Sequence, residues 1–211
     1  MTRTNNIKGS LILITAALIW GLAFVAQSSA AENVPPFLMN CLRSVISAVF
    51  LAVVLKIMGI KSGENVIPTD MTKRKACLIG GLICGVMLTI SVNLQQFGIA
   101  LYPKGAASEA HAGFITAMYV LIVPLLSVFI GKKVGVGVWI GVGIAVVGFY
   151  LLCLSGGIDG LYLGDLLVLF CAFSFAFHIL AVDKFVGSVG GVRLSAFQFV
   201  FAAIISGIMA L

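Results

Sequence analysis

The sequence contains very little charge: Asp, Glu, Lys and Arg together make up only 9% of its 211 residues. A soluble globular domain has about 25% charged residues. Hydrophobic residues, in contrast, make up 61% of the chain. A soluble protein of this size has too small an interior to bury so much apolar surface. The composition therefore excludes a soluble domain and predicts a protein that is surrounded by lipid.

The sequence also lacks the motifs of enzyme chemistry. It contains no HExxH, no GxSxG, no phosphate-binding loop and no paired-carboxylate constellation. Its five cysteines include no CxxC pair, so neither a disulfide framework nor a zinc site is predicted. We therefore predict that the protein is not an enzyme and needs no cofactor and no metal.

Seven apolar runs approach the roughly 20 residues that a helix needs to cross the hydrocarbon core. They cover residues 9–27, 36–58, 76–101, 109–130, 134–154, 165–182 and 195–211. The runs are continuously apolar, whereas the strands of a membrane barrel alternate. The predicted fold class is an all-α polytopic membrane protein with about seven transmembrane helices. A cleavable signal peptide is the alternative for the first run, because a basic head precedes it and small residues follow.

The net charge of +6 comes from basic residues in alternate loops. The loops at the ends of the second, fourth and sixth runs hold Lys56, Lys61, Lys73, Arg74, Lys75, Lys132, Lys133, Lys184 and Arg193. The other loops hold a single basic residue, Lys104, along with Glu32 and Asp159. The positive-inside rule then predicts a cytoplasmic N-terminus. This distribution indicates membrane topology and not nucleic-acid binding.

A weak internal repeat relates residues 9–26 to residues 164–181. The two segments, GSLILITAALIWGLAFVA and GDLLVLFCAFSFAFHILA, share their first glycine, the leucine two residues later and their last alanine. Because five predicted helices separate the two starts, the second copy enters the membrane from the opposite face. Inverted repeats of this kind are typical of secondary transporters. We predict a first five-helix repeat at 1–154 and the start of a second repeat at 155–211.

Several segments resemble the EamA-type transporters of the drug/metabolite transporter superfamily. They are AALIWGLAFVAQ, ALYPKGAASEAHAGFITAMYVLIVPLL, GKKVGVGVWIGVGIAVVGFYLL and GDLLVLFCAFSFAFHIL. The resemblance implies ten helices in two inverted five-helix repeats. It also implies a location in the bacterial cytoplasmic membrane and movement of small metabolites, often outward. Compared with that plan the chain lacks about three helices, so the sequence is expected to be a truncated record or a gene fragment.

Polar residues of the third run predict one wall of a cavity. Asn93 and Gln96 share a helix face with Thr89, and Gly81 and Gly85 continue that face towards the cytoplasm. We interpret the glycines as a close helix contact and the amides as the lining of an outward cavity. Hydrogen bonding between helices, without any ligand, is the alternative.

The fourth run begins with Glu109 and His111 and contains Tyr119 and Pro124 further along. Pro124 has no N–H and deprives the carbonyl of Val120 of its usual partner, so we predict a helix break there. A break beside Tyr119 near the midplane is typical of transporter binding sites. His111 is interpreted as the lining of a vestibule or, alternatively, as an interfacial residue without a role.

Five further positions complete the predicted site and its scaffold. Arg43 either faces the bundle, where it offers a positive charge to an anionic substrate, or extends its side chain to the outer interface. Trp20 and His178 are predicted to line the cavity, with helix packing and interhelical hydrogen bonding as the respective alternatives. Gly137 and Gly141 in the fifth run predict close helix packing.

These patterns favour a secondary transporter that moves a small metabolite, amino-acid-like or drug-like, by alternating access and outward. Its predicted partners are the small-molecule substrate and the lipid bilayer, and a homodimer is left open. One alternative is a membrane scaffold or fragment without transport activity. A multi-pass membrane enzyme that uses Glu109, His111 and His178 is less favoured, because the predicted register places Glu109 and His178 far apart.

Overall fold

The computed structural model of the protein describes residues 3–62, 67–103, 108–151 and 162–211. Within these ranges all regular secondary structure is helical. The helices are α1 (Arg3–Ala31), α2 (Pro36–Ser62), α3 (Met71–Ala100), α4 (Ser108–Thr116), α5 (Tyr119–Phe129), α6 (Val136–Phe149), α7 (Leu163–Val189) and α8 (Gly191–Ala210). Lys104 and the predicted repeat boundary at 154/155 lie outside the described ranges.

Among the described residues, six helical segments are long and apolar enough to cross a membrane, with α4 and α5 counted together as the segment Ser108–Phe129. The apolar part of α6, Val136–Gly148, is shorter. The predicted all-α polytopic membrane fold is thereby confirmed. In lipid a helix satisfies its backbone hydrogen bonds internally, which explains why continuous apolar runs adopt this structure.

Local sequence explains where several helices begin and end. Asp70 caps α3, because its carboxylate accepts a hydrogen bond from the N–H of Thr72 at 2.9 Å. Helix α2 begins at Pro36, a first-turn position where the missing N–H costs nothing. Gly190 separates α7 from α8 with a φ of +82°, a conformation that favours glycine. The sharp turn at Gly190 folds α8 back into the bundle.

Helix α3 lies at the centre of the bundle and packs against α7 and α8, while α2 packs against α8. Gly81 and Gly85 are buried in the α3–α8 contact. A Cβ atom added at Gly81 would lie 2.6 Å from the Cβ of Phe197, and one at Gly85 would lie 2.7 Å from the Cβ of Phe201. Small residues therefore allow the two helices to approach closely.

Gly137 and Gly141 differ from Gly81 and Gly85, although both pairs have the same spacing. They are exposed on α6, and no described atom lies within 4 Å of a Cβ added at either position. Helix α6 contacts α5, and its Gly148 approaches the ring of Phe114. The predicted close packing through Gly137 and Gly141 is thus not found within the described part of the chain.

The interruption of the fourth apolar run precedes the predicted position. Helix α4 ends at Thr116 and α5 begins at Tyr119, whereas Pro124 lies inside α5. The N–H groups of Met118, Val120 and Leu121 bond to carbonyls three residues back instead of four. This corrects the predicted break at Pro124: the chain adapts in the turns before the proline, where its ring and its missing N–H disturb the helix.

Candidate functional site

A group of polar side chains lies between α1, α2 and α3, and we call it the Arg43 cluster. Its members come from the last turns of α1, the first turns of α2 and the second half of α3: Gln27, Asn40, Arg43, Asn93 and Gln96. All of them except Arg43, which is partly exposed, are buried. Three of the five, Arg43, Asn93 and Gln96, were predicted site residues, and the structure brings them together.

Hydrogen bonds connect the cluster from helix to helix. Arg43 donates through Nη1 to Oε1 of Gln27 at 3.1 Å and through Nη2 to Oδ1 of Asn40 at 2.8 Å. Asn40 donates to Oδ1 of Asn93 at 3.0 Å. Asn93 in turn donates to the carbonyl of Thr89 at 2.8 Å. These bonds hold the guanidinium in one place between α1 and α2.

Arg43 carries a positive charge that no acid balances within the described residues. The acids with a basic residue beside them there are Asp165, next to His111, and Asp183, next to Lys132. Arg43 lies seven residues after Pro36, roughly 10 Å along α2. Its guanidinium lies inside the bundle at the level of Gln27, four residues before the end of α1. Charged side chains at such depths usually pair with a partner or face a cavity.

The side-chain amide of Gln96 has a hydrogen-bond partner for its nitrogen but none for its oxygen. Its Nε2 donates to the backbone carbonyl of Gln27 at 3.1 Å. Its Oε1 is buried without a hydrogen-bond partner among the described atoms. A buried acceptor of this kind requires a donor, because leaving it unpaired costs free energy.

A second group, the aromatic cluster, lies deeper in the bundle and contains Trp20, Tyr119, Phe175 and His178. The rings of Trp20 and Tyr119 stack with centroids 6.2 Å apart, and Phe175 meets Trp20 edge-on at 6.3 Å. His178 contacts Phe175 and hydrogen-bonds through Nε2 to Oε1 of Gln198 at 2.9 Å. The structure thus connects Trp20, Tyr119 and His178 through Phe175. The indole of Trp20 is 41% exposed, so it forms an open edge of this cluster.

The third group lies at the end of the bundle where α3 ends and α4 and α7 begin. Asp165, only 5% exposed, accepts hydrogen bonds from the hydroxyl of Tyr102 and the N–H of Tyr162. Nδ1 of His111 lies 3.1 Å from Oδ1 of Asp165. We call these four residues the Asp165 knot. A cavity of about 510 Å³, lined by Glu32, Tyr102 and Glu109 among others, adjoins the knot.

The sequence patterns did not point to several of these residues. Gln27 and Asn40 are isolated amides in apolar helices, although Asn40, Arg43 and Ser44 show a polar stripe with helical spacing on α2. Tyr102 and Asp165 are distant in sequence, and each lies near the end of a predicted helix, where polar residues are common. His111 belongs to the Asp165 knot, whereas Tyr119 lies beyond the interruption, at the start of α5.

Comparisons with known proteins agree with a membrane transporter. An uncharacterized transporter of Archaeoglobus fulgidus is 29% identical over 185 residues, which cover 86% of this chain. The chain spans about half, 51%, of the length of this relative. No solved structure matches the chain significantly. The model of the EamA-like transporter family matches residues 7–154, and the chain therefore belongs to the EamA-like transporter family, a group of membrane transporters within the drug/metabolite transporter superfamily.

Proposed function

We propose that the protein moves a small organic metabolite out of the cell across the bacterial cytoplasmic membrane by alternating access. Family membership and the apolar helices support a multi-pass membrane transporter. The alternate basic loops support a cytoplasmic N-terminus. The basic side chains would then mark the cytoplasmic end of the bundle, and the Asp165 knot would lie at the outer end.

The observation that carries the proposal is the placement of the Arg43 and aromatic clusters along one helix, α1. Gln27 belongs to the first cluster and Trp20, two turns deeper, belongs to the second. Trp20 lies eleven residues from the end of α1, roughly half the thickness of the hydrocarbon core. Polar groups at such depths mark substrate paths. A solute could therefore pass from the polar outer cluster to the aromatic cluster near the midplane.

Contacts at both ends of α7 suggest what changes during alternating access. At one end the Asp165 knot ties α7 to α3 and α4. At the other end Lys132, in the segment after α5, donates to Asp183 of α7 at 2.6 Å. In the proposed cycle, opening the site to one side breaks the hydrogen bonds at one end of α7 while those at the other end persist. The proposed movement is a rocking of α7 against α4 and α5.

Transport by the purified protein in proteoliposomes tests the proposal. We expect saturable flux of at least one metabolite from a broad panel of small organic solutes. Trp20→Ala and Tyr119→Ala should each reduce that flux strongly, because both rings form the aromatic cluster. Phe170→Ala is the matched control, since this ring is exposed on α7. Absence of flux across the panel would refute the transport function, and equal flux in all variants would remove the aromatic cluster from the path.

A further inference from the structure

The exposed side of α3 points to a partner other than the transported solute. We infer that the beginning of α3 binds an anionic phospholipid, with the phosphate on Arg74 and Lys75 and the acyl chains along the apolar strip that follows. The strip consists of Leu78, Ile79, Leu82 and Ile83. We call the two cations and this strip the α3 lipid face. The inference goes beyond the transport function and does not depend on which solute is moved.

The two cations and the strip share one side of α3. Residues four positions apart lie on the same face of a helix, so Arg74 begins a row that continues through Leu78 and Leu82. Lys75 begins a second row, with Ile79 in its next turn. Both cations are exposed, and the side chains of the strip are between 39% and 53% exposed. The opposite side of α3, with its buried glycines, packs against α7 and α8. The α3 lipid face is therefore an open surface of the bundle.

The spacing along the helix matches the layers of a bilayer. Four residues of an α-helix rise about 6 Å, so the strip begins about 6 Å below the two cations. The polar layer on each side of a bilayer is about 5–7 Å thick, since a hydrocarbon core of about 30 Å lies within a total of about 40–45 Å. The cations consequently lie at the level of the lipid phosphates when the strip lies against the acyl chains.

The acids at this end of the bundle do not balance the two cations. Among the described residues these acids are Asp70 and Asp183. Asp183 accepts a hydrogen bond from Lys132 at 2.6 Å, and the carboxylate of Asp70 accepts one from a backbone N–H in the first turn of α3. No ion pair joins Arg74 or Lys75 to an acid within the described part of the chain. The lipid face thus offers uncompensated positive charge.

The position of the cations on α3 makes an anionic partner more favourable. Lys73, Arg74 and Lys75 are the third, fourth and fifth residues of α3, and its first turn contains no acid. The helix dipole is positive at this end and disfavours cations there. A phosphate beside them offsets both the cations and the dipole, and arginine binds phosphate oxygens through parallel hydrogen bonds. A zwitterionic headgroup brings a cation of its own, so the charge selects an anionic phospholipid.

Lipid binding to the purified protein in detergent, measured by native mass spectrometry, tests this inference. The probes are dioleoylphosphatidylglycerol, dioleoylphosphatidylcholine and inorganic phosphate. We expect phosphatidylglycerol to bind roughly tenfold or more tightly than phosphatidylcholine, because each Lys or Arg near an anionic headgroup strengthens binding roughly fivefold. Added salt should weaken this binding, since ions screen exposed charges. Inorganic phosphate in roughly hundredfold excess should not displace the lipid, because it has no chains to cover the apolar strip.

Variants assign the preference to the two cations. Arg74→Gln and Lys75→Gln should each lower the affinity for phosphatidylglycerol roughly fivefold, and the double variant should lower it roughly 25-fold. Exchanging the two residues, Arg74→Lys with Lys75→Arg, keeps the charge and should retain the affinity. The matched control is Lys56→Gln with Lys133→Gln, which removes the same charge from exposed positions outside α3. The control should bind the lipid like the unaltered protein.

The outcomes separate the lipid site from its alternatives. Equal binding of phosphatidylglycerol and phosphatidylcholine by the unaltered protein refutes the inference, whatever the variants do. Displacement of the lipid by inorganic phosphate would indicate a site for the free anion and would refute it as well. An equal loss of affinity in the double variant and in the control would show that only the overall charge matters, and would remove the site from α3. None of these measurements involves flux, so the transport function stands or falls separately.

Discussion

The contact between α3 and α8 gives the sharpest test of the packing. In Gly85→Ala the new Cβ would lie 2.7 Å from the Cβ of Phe201 and 2.9 Å from the backbone oxygen of Gln198. An ordinary contact begins near 3.4 Å, so α3 and α8 must separate by about 0.7 Å at this point. Neither obstructing atom is the flexible end of a side chain. Overpacking of this kind costs about 1–3 kcal/mol.

Thermal unfolding of the purified protein in detergent measures this cost. A change of 1 kcal/mol shifts the Tm of a chain of this size by about 2–4 °C, so the Tm of Gly85→Ala should lie about 2–12 °C below that of Gly137→Ala. Gly137→Ala is the matched control, because no described atom lies within 4 Å of the new Cβ. Alanine also has a better helix propensity than glycine, by up to about 1 kcal/mol. The control should therefore leave the Tm unchanged or raise it.

The comparison of the two variants decides whether the reasoning holds. An equal Tm in Gly85→Ala and Gly137→Ala would show that α3 and α8 do not approach each other as closely as described. A lower Tm in Gly137→Ala alone would place the closest helix contact on α6 and would refute the close packing of α3 against α8.

Three further predictions concern the ends and the centre of the bundle. Asp165→Ala should lower the free energy of unfolding by about 1 kcal/mol, since it leaves partly buried donors without their acceptor, whereas Glu109→Ala should not; equal unfolding midpoints would contradict the role of the Asp165 knot. Tyr119→Ala and Gln96→Ala should each reduce transport without changing membrane insertion, as measured by flux and by the amount of protein in the membrane fraction, and undiminished flux would exclude both residues from the path. A reporter tag inserted after Leu101 should be accessible only from outside intact cells, and a cytosolic signal would reverse the proposed orientation.

The sequence predicted the lipid environment and the helices correctly, because both follow from local composition. A continuous apolar run of about 20 residues has to satisfy its backbone hydrogen bonds internally in lipid, and a helix is the only single segment that does so. The sequence was less informative about interruptions. Pro124 indicated that the fourth run is irregular, but the position of the interruption, before Tyr119, depends on how the chain adapts to its neighbours.

The predicted site residues illustrate the same limit. The polar character of Arg43, Asn93 and Gln96 is visible in the sequence, but their assembly depends on Gln27 and Asn40, which come from other parts of the chain. A periodic pattern shows which side chains share a face of one helix. It does not show which face of another helix lies opposite, and the hydrogen bonds of the Arg43 cluster are made between helices.

The glycine pairs mark the boundary between what the sequence determined and what the tertiary structure decided. By itself, the sequence determined that Gly81 and Gly85, like Gly137 and Gly141, leave a flat strip on a helix where another backbone could approach. Only the tertiary structure decided that α8 lies against the first pair and that the second pair is exposed. The physical reason is that a missing side chain permits a close contact without attracting a partner, whereas the partner is chosen by the packing of the whole bundle.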